Sequence, residues 1–180
     1  QLLDHRFAQV EATKFVAAKL SHLCRAPLCD AHAESVCKEL RLASPQGAML
    51  VLRTVLNAWT TSARMHDPAV FPCLFGCEGK EDALAHYITC PVLIQCMLDV
   101  LGEPAEPHGL LAWLGLGPRA QLVRCAVLCE VYHVYRGSCS SRAGSVSPVG
   151  LRALFSAALA KVRPFFRVHA LPRAGAATLD

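Results

Sequence analysis

No uncharged apolar run in this 180-residue chain reaches the roughly 18 residues that a membrane helix needs. The most hydrophobic stretch, AQLVRCAVLCEVYHVY, is broken by Arg124 and Glu130, and a charge inside a span is costly, so a membrane span is excluded. No signal peptide is legible, no segment alternates as a half-buried strand does, and no internal repeat recurs. A glycine-rich phosphate loop, a carboxylate pair set for acid–base work and a Ser/His/Asp arrangement are also missing. These gaps argue against an enzyme and against a small-molecule substrate.

What is present is apolar. Hydrophobic residues make up 53% and charged residues 18%, enough buried surface to offset the entropy of ordering. The length fits one ordinary domain, or two small units sharing a core. Ten cysteines fit a secreted disulfide scaffold poorly, because such scaffolds are short and poor in core residues. The expectation is an intracellular, reduced protein. Gln1 opens a stretch that already reads as mid-helix, as a piece of a longer chain would. Residues 1–117 hold nine Lys/Arg against twelve Asp/Glu, and residues 118–180 hold nine against two, so the basic half is the second. Its arginines are spread rather than clustered, which fits a solvated face as well as a phosphate-binding one.

Periodicity places helices over 3–24, over the stretch after Ser44-Pro45, over 92–101, over 119–136 and from Ser147-Pro148 to Val162. Pro27 ends the first. In the second, Met49, Leu52, Leu56, Trp59 and Ala63 form the apolar face, with Arg53, Asn57, Thr60 and Arg64 opposite. The stretch 119–136 is apolar almost all round and must sit inside; 138–147 reads as a loop and the end from Pro172 as frayed. The fold class is therefore mainly α: a helical bundle with an inserted small Cys-Cys-His-Cys zinc finger. It divides into a helical segment over 1–66, the finger over 67–97, and a helical segment over 98–180 that packs with 1–66 as one unit.

The finger is FPCLFGCEGKEDALAHYITCP, with Cys73, Cys77, His86 and Cys90 spaced Cys-x3-Cys-x8-His-x3-Cys. Tetrahedral zinc needs four soft or borderline ligands around one point, which two thiolates from a tight turn and two ligands one helical turn apart supply. Gly76 and Gly79 give the turn its freedom. Glu81 and Asp82 read as acids at the start of the helix that carries His86 and Cys90, and Pro91 stops it. Four protein ligands leave no position for water, so zinc here is structural. Without metal, the four would pack as half-buried small side chains. His22, Cys24, Cys29, His32 and Cys37 are a second possible grouping, and Cys96 an alternative fourth ligand. Cys125, Cys129 and His133 span too far along one straight helix for a single ion and read as core.

The stretch LRTVLNAWTTSARMHDPAVFPCLFGCEGKEDALAHYITCPVL resembles the segment that follows the polymerase domain in non-LTR (LINE-like) retrotransposon reverse transcriptases. In that family a stretch with tryptophan and arginine leads into a Cys-Cys-His-Cys finger, with an acid and a leucine before the histidine, as Asp82, Leu84 and His86 stand here. The helix RCAVLCEVYHVYR is similar to the helical tail of some members. The resemblance implies an accessory module that binds RNA or DNA beside the polymerase domain of a longer parent chain, in the nucleus; the residues themselves offer Arg53, Arg64 and Lys80 as candidate phosphate contacts. It does not imply polymerisation, since no adjacent aspartate pair is present to hold two metals. The nuclease of some relatives has a Pro-Asp step that is absent after Cys90, and the His-x3-Cys interval is one residue shorter than the family's usual spacing.

Overall fold

The longest run of consecutive buried residues, Cys125 to Tyr132, lies where the sequence is apolar all round. It belongs to the central helix of a computed structural model that describes residues 2–24, 30–101, 114, 122–138 and 147–166. The helices are α1 (Leu2–Cys24), α2 (Asp30–Leu42), α3 (Pro45–Val55), α4 (Ser62–Met65), α5 (Leu84–Tyr87), α6 (Pro91–Leu101), α7 (Val123–Ser138) and α8 (Pro148–Val162), followed by a 3-10 turn at Arg163–Phe165. No strand occurs among the described residues; one isolated antiparallel bridge joins Pro72 and Glu81. The chain is mainly helical, as its periodicity predicts.

Helix α7 packs on α3 and on α8, α8 packs on α6, and α1 pairs with α2. Burial of Leu128, Val131, Tyr132, Val51, Phe155 and Val162 makes the seam between α3, α7 and α8. Each large apolar side chain removed from water here contributes about 1.5–3 kcal/mol. Charged groups rim the seam. Glu130, buried on α7, pairs with Lys161 of α8, and Asp99 of α6 meets Arg152 at 2.6 Å. The Arg152 pair is exposed and contributes little.

Local chemistry sets the helix starts. The Ser44 hydroxyl accepts from the Gly47 amide at 3.3 Å and the Ser147 hydroxyl from the Gly150 amide at 3.1 Å, each with proline at the first helical position. The 3-10 turn closes against α3, where the Ser44 amide donates to the Phe165 carbonyl at 2.8 Å.

The end of α3 departs from the expected pattern. The helix stops at Val55, because Asn57 turns left-handed (φ 50°) and its amide, with that of Ala58, folds back onto the carbonyls of Thr54 and Arg53. This is a Schellman cap with asparagine in the position usually held by glycine. The buried face is Gly47, Leu50, Val51, Thr54 and Val55, while Met49 and Leu56 are exposed. Trp59 is fully buried beyond the helix, its indole N–H donating to the Thr54 hydroxyl at 3.0 Å. Arg53, Asn57, Thr60 and Arg64 therefore do not share one helix face. The expected loop over 138–147, the end from Pro172 and Pro27 lie mainly outside the described residues.

Candidate metal centre

The finger begins as a narrow loop. The Cys73 amide donates to the Lys80 carbonyl and the Asp82 amide to the Phe71 carbonyl, both at 2.7 Å, clamping the two ends of the Cys73–Cys77 turn. Gly76 (φ 84°) and Gly79 (φ 61°) take the left-handed conformations that let the turn close. His86 rides on α5. Cys90 does not lie on that helix, which ends at Tyr87; two tight turns carry the chain on, and Cys90 immediately precedes α6, its carbonyl accepting the first bond of that helix from Ile94. Pro91 thus starts α6 and is not what stops α5, which has already ended at Tyr87.

The ligand atoms of Cys73, Cys77, His86 and Cys90 all lie within 4.8 Å of one another. The Cys77 and Cys90 sulfurs are 3.5 Å apart. Sulfurs on a tetrahedral zinc, with bonds of about 2.3 Å, stand about 3.8 Å apart, so the spacing fits. His86 Nε2 is buried with no hydrogen-bond partner. A buried ring nitrogen without a partner costs free energy unless something binds it, and a metal would. Amides are aimed at the sulfurs as well: Phe75 N–H donates to Cys73 Sγ at 3.4 Å, and the backbone of Val92 and Leu93, in the first turn of α6, bonds the Cys77 and Cys90 thiols. A helix N-terminus and amide donors favour thiolate, the form that binds metal. The Cys90 thiol holds the Cys73 thiol down to about 5, and the same bond, aided by burial, pushes Cys90 up. Burial raises Cys77. This arrangement can hold one metal ion with four protein ligands.

Asp82 has a different role from the helix-starting acid expected of it. The residue preceding α5 is Ala83, without a side-chain cap. Asp82 is fully buried and its carboxylate collects four donors: Ser62 N–H at 2.7 Å, Tyr87 O–H at 2.7 Å, Tyr132 O–H at 3.2 Å and Arg136 Nη1 at 2.7 Å. Tyr87 O also accepts from the Leu74 amide inside the cysteine turn, at 3.2 Å. Burial and the neighbouring carboxylate push both phenols up, so they remain donors. The rings stack in continuation, with Trp59 on Tyr132 at 4.8 Å, Tyr132 by Tyr87 at 5.0 Å and Phe75 on Tyr135 at 5.2 Å. Finger and α7 are thus joined by one ionic hub and one aromatic stack. The sequence signal for the hub is the polar pair Tyr132 and Arg136, one turn apart near the end of a mostly buried helix.

Arg53, Arg64 and Lys80 are exposed, but they stand on α3, on α4 and in the finger turn. Among the described residues, Cys73, Cys77, His86 and Cys90 are the one group placed to hold a metal. Cys29 and the Cys24 side chain, from the second possible grouping, lie outside the described residues. Cys96 is buried on α6 away from the group, its thiol raised to about 11 by burial. Cys125 and Cys129 are fully buried core, and His133 Nδ1 bonds the Cys129 carbonyl at 2.7 Å. Comparison of the chain with protein families, with curated proteins and with solved structures finds no match.

Proposed function

We propose that this chain is a zinc-binding, nucleic-acid-binding accessory module of a retrotransposon reverse transcriptase, with no catalytic residues of its own. The observation that carries the metal assignment is the convergence of Cys73, Cys77, His86 and Cys90 around a ring nitrogen with no protein partner. Three thiolates and one imidazole are the donor set of closed zinc sites, so the ion organises the fold and does no chemistry. The nucleic-acid part rests on the resemblance in layout around the finger and on the exposed cations Arg53, Arg64 and Lys80. Its place of work on this reading is the nucleus, beside a polymerase domain.

A second reading, a zinc-stapled helical scaffold that contacts protein, is favoured by the charge of the finger. Between Asp67 and Asp99 the chain holds Glu78, Glu81 and Asp82 against Lys80 as its sole basic residue. One experiment separates the two. The zinc-loaded chain is titrated with single-stranded RNA and DNA from 50 to 200 mM salt, beside an Arg53→Ala/Arg64→Ala variant. The nucleic-acid reading expects binding that weakens with salt, with the slope reduced by about 0.7 for each phosphate that is no longer neutralised. Binding unchanged by the substitutions removes these arginines from the interface. Absence of binding at low salt by a folded, zinc-loaded chain leaves the scaffold reading.

A further inference from the structure

Phe15, Lys19 and His22 are spaced by four and three residues along α1, so they share one stripe of that helix. Phe15 is 52% exposed, which is unusual for a phenylalanine with a core available, and the Lys19 ammonium sits over its ring at 5.5 Å. The stripe runs into a cavity of about 410 Å³ between the end of α1, the turn after α3 and α5 of the finger. That volume falls within the range of about 300–1,000 Å³ typical of ligand clefts. Leu23, Val55 and Leu84 give the cavity an apolar floor, and Lys19, His22 and Asn57 bring its polar groups. Among the described residues no carboxylate lines it, although the finger beside it is acidic.

An exposed aromatic ring, a cation set over its face and a cleft whose described lining carries Lys19 and His22 and no acid are the elements with which proteins hold single-stranded nucleic acid: a base stacks on the ring and the backbone follows the positive charge. We propose that single-stranded RNA or DNA binds along this stripe, with one base on Phe15, a phosphate at Lys19 and His22, and the next nucleotide in the cleft above Val55 and Leu84. The proposal rests on the nucleic-acid reading above and assigns it a surface distinct from Arg53, Arg64 and Lys80. The left-handed Asn57 that follows α3 is part of the cleft wall, and a carboxamide is a group that can meet a base edge.

The test uses the zinc-loaded full chain with 12-nucleotide oligo(U) RNA and oligo(dT) DNA, read by fluorescence anisotropy. Phe15, Lys19 and Ala85 are all exposed, so their substitution leaves the core intact. Phe15→Ala is expected to weaken binding by about fivefold or more and Phe15→Trp to keep it, since stacking is the interaction removed and restored. Lys19→Ala is expected to flatten the salt slope by about 0.7, the share of one neutralised phosphate. Ala85→Glu, which adds a negative charge to the cleft, is expected to weaken binding about tenfold at 50 mM salt, with the spectrum of the cobalt-substituted centre unchanged. Binding by the unsubstituted chain that all three changes leave intact overturns this surface and spares the nucleic-acid reading. No binding by the unsubstituted chain overturns both.

Discussion

Replacing Asp82 with alanine removes the one acceptor that four donors share. Arg136 is left with an unpaired guanidinium whose side chain is 23% exposed, and the Ser62 amide is left buried and unbonded. Tyr87 keeps the Leu74 amide and Tyr132 keeps Arg136, so the phenols are only partly orphaned. Removing one partner of a buried ion pair costs about 3–5 kcal/mol, and an unsatisfied buried donor about 1–3 kcal/mol. Because Arg136 can swing part of its charge to water, the low end applies, and the expected loss is about 4 kcal/mol. A domain stable by about 5–15 kcal/mol would lose much of its margin. Urea unfolding followed by circular dichroism, at fixed excess zinc, measures it. Asp82→Ala combined with Arg136→Met should recover a large part of the loss, because no buried charge then remains unpaired. A cost below about 1 kcal/mol for Asp82→Ala, or a double variant no more stable than the single one, would refute the hub as the joint between finger and α7.

Two further perturbations leave the Asp82 carboxylate itself in place. A Cβ added at Gly47 would stand 2.8 Å from the Phe165 Cβ, so Gly47→Ala should prise the 3-10 turn from α3; overpacking of about 1–3 kcal/mol outweighs the helix gain of about 0.5–1 kcal/mol, and unfolding in urea should show a net loss. Equal or greater stability would show that the turn is not seated there. His133 is held below its ordinary value by burial, with Arg53 and Arg136 acting the same way against the Cys129 carbonyl and Glu130. Since the folded state then binds the proton less readily than the unfolded one, this contribution to stability is full above the ordinary histidine value of about 6.5 and drains as pH falls. An NMR titration of the ring should give a midpoint below about 6.5, and a midpoint above it would contradict the burial argument.

Features whose physics is local are legible in the sequence. Ser44-Pro45 and Ser147-Pro148 start helices because a hydroxyl, a missing N–H and a fixed φ act within one helical turn. Cys73, Cys77, His86 and Cys90 stand out because a turn with two glycines and a short helix confine four ligands to eighteen residues. The buried face of α3 differs from the expected one because two stripes at helical spacing compete: Met49, Leu52 and Leu56 are the more hydrophobic, yet Leu50, Val51, Thr54 and Val55 are buried. The Thr54 hydroxyl is satisfied by the Leu50 carbonyl and the Trp59 indole, which is how a polar residue holds a core position. Asp82 departs from its expected place for a related reason. Its partners Ser62, Tyr132 and Arg136 lie 20, 50 and 54 residues away, and nothing within a helical turn of it announces them. The acidity that counts against phosphate contact by the finger is thus partly internal, since one of its acids points into the core.

Metal binding by Cys73, Cys77, His86 and Cys90 is the central claim. X-ray absorption at the zinc edge, on protein purified without added chelator and assayed for metal content, tests it directly. One zinc per chain with three sulfurs at about 2.3 Å and one nitrogen at about 2.0–2.1 Å is the predicted shell. A chain that folds to the same helical content with no bound metal, or a shell of four sulfurs that excludes His86, would contradict it.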